Sequence, residues 1–243
     1  MTEGELAETE THRRREAELG RLRARADEMG RWALSMVHDG WQAFRTGDLA
    51  LAQKVLDRDT ELDRFDQEIE HEVVAFLVTR QPAGEDLRAA AALLKTTTHL
   101  DRIGRLGFDI ARITNRAEEK DALELTELLD AMDRTAEGMV RQSLEAMGKG
   151  DADLAKALFS QDDAMDRMHR RATRLAVREM VHDPLLAERL SGELLVARHF
   201  ERIADNSCKI CERTIYAATG QRRAEYLPRH PYRPYALEQP RGQ

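Results

Sequence analysis

The feature that most constrains this chain is an internal repeat about a hundred residues long. Residues 44–65, FRTGDLALAQKVLDRDTELDRF, align without a gap to residues 147–168 at an offset of 103. Farther along, His99-Leu100-Asp101-Arg102-Ile103-Gly104-Arg105 is echoed by His199-Phe200-Glu201-Arg202-Ile203-Ala204-Asp205 at an offset of 100. A block that occurs twice is expected to fold the same way twice.

Within each block the apolar residues follow a helical period. Val55, Leu62, Ile69, Val73 and Phe76 recur at spacings of three, four and seven, and Leu93, Leu100, Ile103, Gly107 and Ile110 form a second seam. Helices are expected from Thr11 to about Gly47, from about 49 to 79, and from Glu85 to about Arg116. The second copy repeats them, with helices over roughly 119–148 and 184–219. Asp48 and Asp183 are placed as N-caps, with Pro184 at a first helical position. Gln81-Pro82-Ala83-Gly84 and His182-Asp183-Pro184 turn the two hairpins. The expected fold is all-α: two tandem-repeat three-helix bundles with six long helices. Residues 11–117 form the first bundle and 118–220 the second. Residues 1–10 and the Pro-, Tyr- and Arg-rich tail 221–243 are read as disordered.

Charged residues are 34% of the chain and aromatics 5%, which suits helices with solvated outer faces. The net charge of −7 argues against a reader of nucleic-acid backbone. The longest apolar run is Ala89 to Leu94, too short to cross a membrane, and the N-terminus has no signal-peptide core, so a cytoplasmic location is expected. Cys208 and Cys211 lie three apart in a helical pattern and are read as small core side chains.

The chemistry sits in the acids. Each copy carries DxxxD on its middle helix, Asp59 with Asp63 and Asp162 with Asp166. Counting out from the hairpin turns sets Asp63 level with Asp101, and Asp166 level with Glu201. The second copy thus brings Asp162, Asp166, Glu201 and Asp205 to neighbouring helical faces. Four such carboxylates repel one another unless a cation relieves them, and an all-oxygen site suits magnesium, manganese, calcium or iron(III). The competing reading is a solvated acidic face neutralised by Arg167 and Arg202. In the first copy Asp59, Asp63 and Asp101 remain, but Arg105 takes the fourth place and is expected to pair with Asp101. Asp66 and His169 are possible extra ligands, read as surface residues. Glu68-x-x-His71 has the spacing of a di-iron oxidase site, yet its only partner, Asp166-x-x-His169, is not its repeat equivalent. His99 and His199 are assigned to interhelical hydrogen bonding, and Gly104-Arg105-Leu106-Gly107 to close packing. No phosphate-cradling loop or nucleophile elbow is present.

Two three-helix repeats, each with DxxxD followed by an acid-Arg-Ile-small motif, resemble the PhoU family of phosphate-uptake regulators. Met29-Gly30, Gly47-Asp48, Arg80-Gln81-Pro82, Asp86-Leu87-Arg88 and Tyr216 to Gly220 add to the resemblance, which covers about residues 15–220. It implies a cytoplasmic helical protein, commonly dimeric. Its implied partners are the phosphate ABC transporter ATPase subunit and a phosphate-sensing histidine kinase, so that it meets the membrane only through them. It further implies restraint of phosphate uptake and of the starvation response, no enzymatic activity, and metal clusters at the acidic motifs. Iron, zinc, manganese and magnesium are the candidate metals, and Asp59, Asp63, Asp101, Asp162, Asp166, Glu201 and Asp205 the implied ligands. Arg105 departs from the pattern. The readings kept beside the adaptor are a carboxylate-cluster hydrolase or oxidase and a metal-free helical scaffold.

Overall fold

The structure, a computed structural model, describes residues 3–114, 123–222 and 225. Helices α1 (Glu3–Thr46), α2 (Leu49–Leu56), α3 (Asp59–Arg80) and α4 (Gly84–Arg112) make the first copy. The second comprises α5 (Leu123–Lys149), α6 (Ala152–Ala157), α7 (Phe159–His182) and α8 (Ala187–Thr219), with a short 3-10 turn at Pro184–Leu186 before α8. Among the described residues there is no strand, and the all-α repeat architecture stands.

The turns follow from local chemistry. Gly47 and Gly150 hold left-handed φ values of 67° and 63°, open to glycine without a Cβ penalty. The next residue in each case, Asp48 or Asp151, turns its carboxylate onto the N–H groups of the helix that follows. Asp183 accepts from the Leu185 N–H, with Pro184 opening the 3-10 turn.

Several boundaries differ from expectation. Helix α1 starts at Glu3 and not Thr11, and Arg14 pairs with Glu10 one turn back. Helix α4 ends at Arg112, short of residue 116. Residues 119–122 of the expected fourth helix, and the tail from 226 onward, lie outside the described residues. The long helix expected over 49–79 is broken at Asp57-Arg58. The break is pinned from α1: Arg58 reaches Asp39 at 2.6 Å and lies over the Trp32 ring, whose indole N–H points at the Arg58 carbonyl. The second copy breaks at Leu158, and the offset of 103 puts Gln142 and Gln161 in the places of Asp39 and Arg58. There an amide pair at 2.6 Å replaces the ion pair.

The two copies share one apolar core. Helix α4 runs parallel to α1 and packs against α8, and Trp41 of α1 meets Phe200 of α8 edge-on at 5.5 Å. Helices α1 and α4 touch backbone to backbone. A Cβ on Gly107 would stand 2.6 Å from the Met36 carbonyl carbon, and one on Gly40 would stand 2.5 Å from the Gly107 carbonyl oxygen. The close packing expected of Gly104 and Gly107 is therefore present.

Candidate functional site: two carboxylate clusters across the hairpins

Each hairpin carries its acids on facing helices, α3 with α4 and α7 with α8. In the first copy Arg105 gathers all three acids. Its Nε lies 3.1 Å from the Asp101 carboxylate, one Nη is 3.2 Å from Asp59, and the other bonds Asp63. Asp59, Asp63 and Asp101 thus converge as the residue counting placed them, around a guanidinium. Burial raises the Asp101 carboxyl, with Asp66 and Asp63 adding to it against the pull of Arg105. Asp66 is half-buried on α3, near enough to Asp101 to act on its carboxyl.

The second copy has no such central cation. Glu201 is largely buried, its side chain 13% exposed, and its Oε2 is sealed from solvent without a hydrogen-bond partner. Burial, then Asp205 one turn along, then Asp166 across the hairpin push its carboxyl up to about 7, while Arg198 pulls the other way. Arg198 bonds the other oxygen, Oε1, at 2.6 Å. Asp166 lies 3.8 Å from Arg170. Asp162 sits against the Cys208 thiol, which burial and then Asp162 push upward, with a smaller push from Asp205. All four expected acids therefore belong to one electrostatic neighbourhood. Arg170 and Arg198, four and three residues from their acids, each pair with a member of this cluster.

Among the described residues no three His, Cys, Asp or Glu side chains stand close enough together to hold a metal ion. The physical reason is visible in the second cluster, where the acids repel and two of them lean on their own arginines. The donor set nevertheless fits a hard cation: four carboxylates, one with a buried oxygen that nothing satisfies. The first cluster fits less well, since Arg105 already supplies the positive charge.

The other candidates resolve differently. His99 Nδ1 is 3.1 Å from Asn206 Oδ1, the interhelical bond expected of it. His199 Nδ1 is buried without a partner, and burial holds its ring below the usual imidazole range. His169 is lowered by burial, then by Arg198, with Asp166 opposing, so it stands beside the second cluster. Cys208 and Cys211 are free and buried, as core side chains.

One acidic feature was missed in the sequence. On α5, Asp133 is 6% exposed and its Oδ1 has no partner. Burial and then Glu137 push it up to about 7; Asp130 adds to this, and His38 and Arg134 oppose it. Around it His38 Nδ1 is 2.8 Å from Glu137, Arg141 holds the other Glu137 oxygen at 2.7 Å, and Arg45 is 3.3 Å from Asp130. Nothing distinguishes Asp133 in sequence from a solvent-facing acid of an amphipathic helix. Its folded-state carboxyl lies above the ordinary value of 3.8, so the fold favours the protonated form. Its contribution to stability is full below about pH 4 and is lost as pH rises through about 7. Asp133→Asn is therefore expected to gain on the wild type between pH 5 and pH 8, by on the order of 2–3 kcal/mol. Urea midpoints at both pH values measure this, and parallel pH dependence in the two proteins would refute it.

A family model described as the PhoU domain matches residues 26–114 and 129–214. A Thermotoga maritima protein named phosphate-specific transport system accessory protein PhoU homolog 1 is 30% identical over 213 residues, 87% of this chain and 92% of that protein. A Pseudomonas putida homolog of the same accessory protein is 33% identical, covering 84% of this chain and 80% of its own length. The crystal structure of PhoU from Pseudomonas aeruginosa superposes with a TM-score of 0.78 at 30% identity, over 85% of this chain and 99% of the other. The Streptococcus pneumoniae phosphate transport system regulatory protein PhoU shares the fold, with a TM-score of 0.75 at 22% identity. With both repeats matched and relatives of full length, this chain belongs to the PhoU family of phosphate transport accessory and regulatory proteins.

Proposed function

We propose that this protein is a non-enzymatic adaptor that restrains phosphate uptake and the phosphate-starvation response. It would act as a cytoplasmic homodimer between the ATPase subunit of a phosphate ABC transporter and a phosphate-sensing histidine kinase. Membership of a family whose members are named for phosphate transport carries this reading. No described helix is long and apolar enough to cross a membrane, which fits contact with the membrane through partners. An adaptor works by binding one conformation of its partner better than another, and a rigid helical body with a shared core suits that task.

We further propose that the second cluster holds a metal ion, with Asp162, Asp166, Glu201 and Asp205 as its ligands and iron, zinc, manganese or magnesium as the candidates. The buried, unsatisfied Oε2 of Glu201 is the observation in its favour. In the first copy Arg105 supplies the charge that a cation supplies in the second, and Asp59, Asp63 and Asp101 bind metal weakly at most. A metal-free scaffold is the second reading, favoured by the pairing of Arg170 and Arg198 with the acids.

Two measurements separate these claims. Deleting the gene should raise phosphate-starvation transcription in phosphate-replete cells, and unchanged transcription would sink the regulatory reading. Metal content by mass spectrometry, after reconstitution with the four metals, should be at least about tenfold lower in Glu201→Ala/Asp205→Ala than in the wild type. Equal content in both, or none in either, would leave the scaffold.

A further inference from the structure

Away from the carboxylate clusters, a small cavity of about 30 Å³ opens where α1, α4 and α8 meet the C-terminal end of α5. Its lining includes Arg23 of α1, Thr96 of α4 and Arg213 and Thr214 of α8, with Gly150 beyond α5, and among the described residues contains no Asp or Glu. That absence is notable in a chain with 45 acids and a net charge of −7. Most arginines described above lie against a carboxylate. Among the described residues none accepts from the Nε of Arg213, which is buried. One helical turn from Ala92 in the cavity wall, Arg88 repeats the pattern, its Nε buried without an acceptor and beside Gly220. Three acids close in sequence to the lining residues have partners of their own: Asp86 faces Arg15 at 4.0 Å, Glu145 pairs with Lys149 at 2.6 Å and Glu212 with Lys209 at 3.0 Å.

A buried guanidinium N–H without an acceptor is an expensive arrangement, and an oxyanion relieves it with charge-assisted hydrogen bonds. Thr96 is 2% exposed and brings a hydroxyl to the same wall. The Thr214 hydroxyl already donates to the Ile210 carbonyl, so the anion's donors would come from the arginines and Thr96. The space exceeds the roughly 10–15 Å³ that admits one water. We infer that this cavity is a binding site for inorganic phosphate, held between Arg23 and Arg213. The choice of phosphate among oxyanions rests on the proposed regulatory function; the site itself rests on the cavity and its arginines.

Calorimetric titration of the purified chain with sodium phosphate at constant ionic strength tests it, with sodium sulfate and chloride in parallel. Saturable phosphate binding is expected, weakened about tenfold or more in Arg213→Gln and in Arg23→Gln. Ala92→Val narrows the cavity without removing charge and should weaken binding as well. Arg174→Gln, an exposed arginine on α7, should bind as the wild type does. No saturable binding by the wild type, or equal loss in Arg174→Gln, would overturn the site. Sulfate binding as tightly as phosphate would overturn the assignment to phosphate. None of these results depends on the metal content or the transcriptional test, so the two proposals fail separately.

Discussion

Gly107→Ala is expected to lower the stability of the fold by about 3 kcal/mol, at the upper end of what overpacking costs. The added methyl would lie 2.6 Å from both the Met36 carbonyl carbon and the Val37 nitrogen. Both are backbone atoms of α1, so no rotamer change makes room, and α1 and α4 must separate along their length. The loss spreads to the neighbours of that seam, where Gly104 lies under the Leu62 side chain and Gly40 on the Gly107 carbonyl. Gly138 on α5 is the control, because a Cβ there meets nothing within 4 Å. Gly138→Ala should stabilise by about 0.5–1 kcal/mol, as expected for removing a helical glycine without a clash. Denaturant midpoints of the two variants should move in opposite directions. A Gly107→Ala protein as stable as the wild type would mean that the two helices do not touch as described.

The second large effect concerns the single position at which the acidic motifs of the two copies differ in charge. Arg105→Asp gives the first hairpin a four-acid pattern like that of the second and removes the charge partner that Asp59, Asp63 and Asp101 share. Without metal, the variant should lose about 1–2 kcal/mol, because four carboxylates then face each other with partial exposure and partial screening. On the proposed function, added manganese or iron should restore that stability and raise the metal bound per chain by at least one equivalent. The converse change, Asp205→Arg, should free the second hairpin of metal while leaving it folded. Thermal melts with and without metal, read beside metal analysis, decide the matter. Arg105→Asp taking up no metal would show that the arginine is not what separates the two hairpins.

Sequence patterning reached the architecture because the fold is local and duplicated. Helical periods, the Gly-Asp turns and the hairpin turns at Pro82 and Pro184 are all short-range signals, and the repeat supplied each of them twice. Counting from the turns was enough to bring Asp59 and Asp63 to Asp101, since a helix advances uniformly. The break at Asp57-Arg58 was not legible, because no glycine or proline marks it. It is imposed by Trp32 and Asp39 on a helix far away in sequence. Arg170 and Arg198 were overlooked for a related reason: adjacency along the chain drew the reading to Arg167 and Arg202, whereas these pairs join residues a helical turn apart. Asp133 stayed hidden because its burial depends on where α1 crosses α5, which no motif records.

The paired helix breaks give the duplicated fold a chemical polarity that its backbone lacks. The first is clamped by a charge pair, Arg58 with Asp39, and the second by two neutral amides, Gln161 with Gln142. Dissolved ions weaken the attraction of opposite charges and leave an amide pair nearly untouched. A rise in ionic strength therefore slackens one hairpin's grip on its long helix while the other holds. The halves of this near-symmetric molecule are tuned to different variables, so a partner able to grasp either end would find them unequal as the ionic surroundings change.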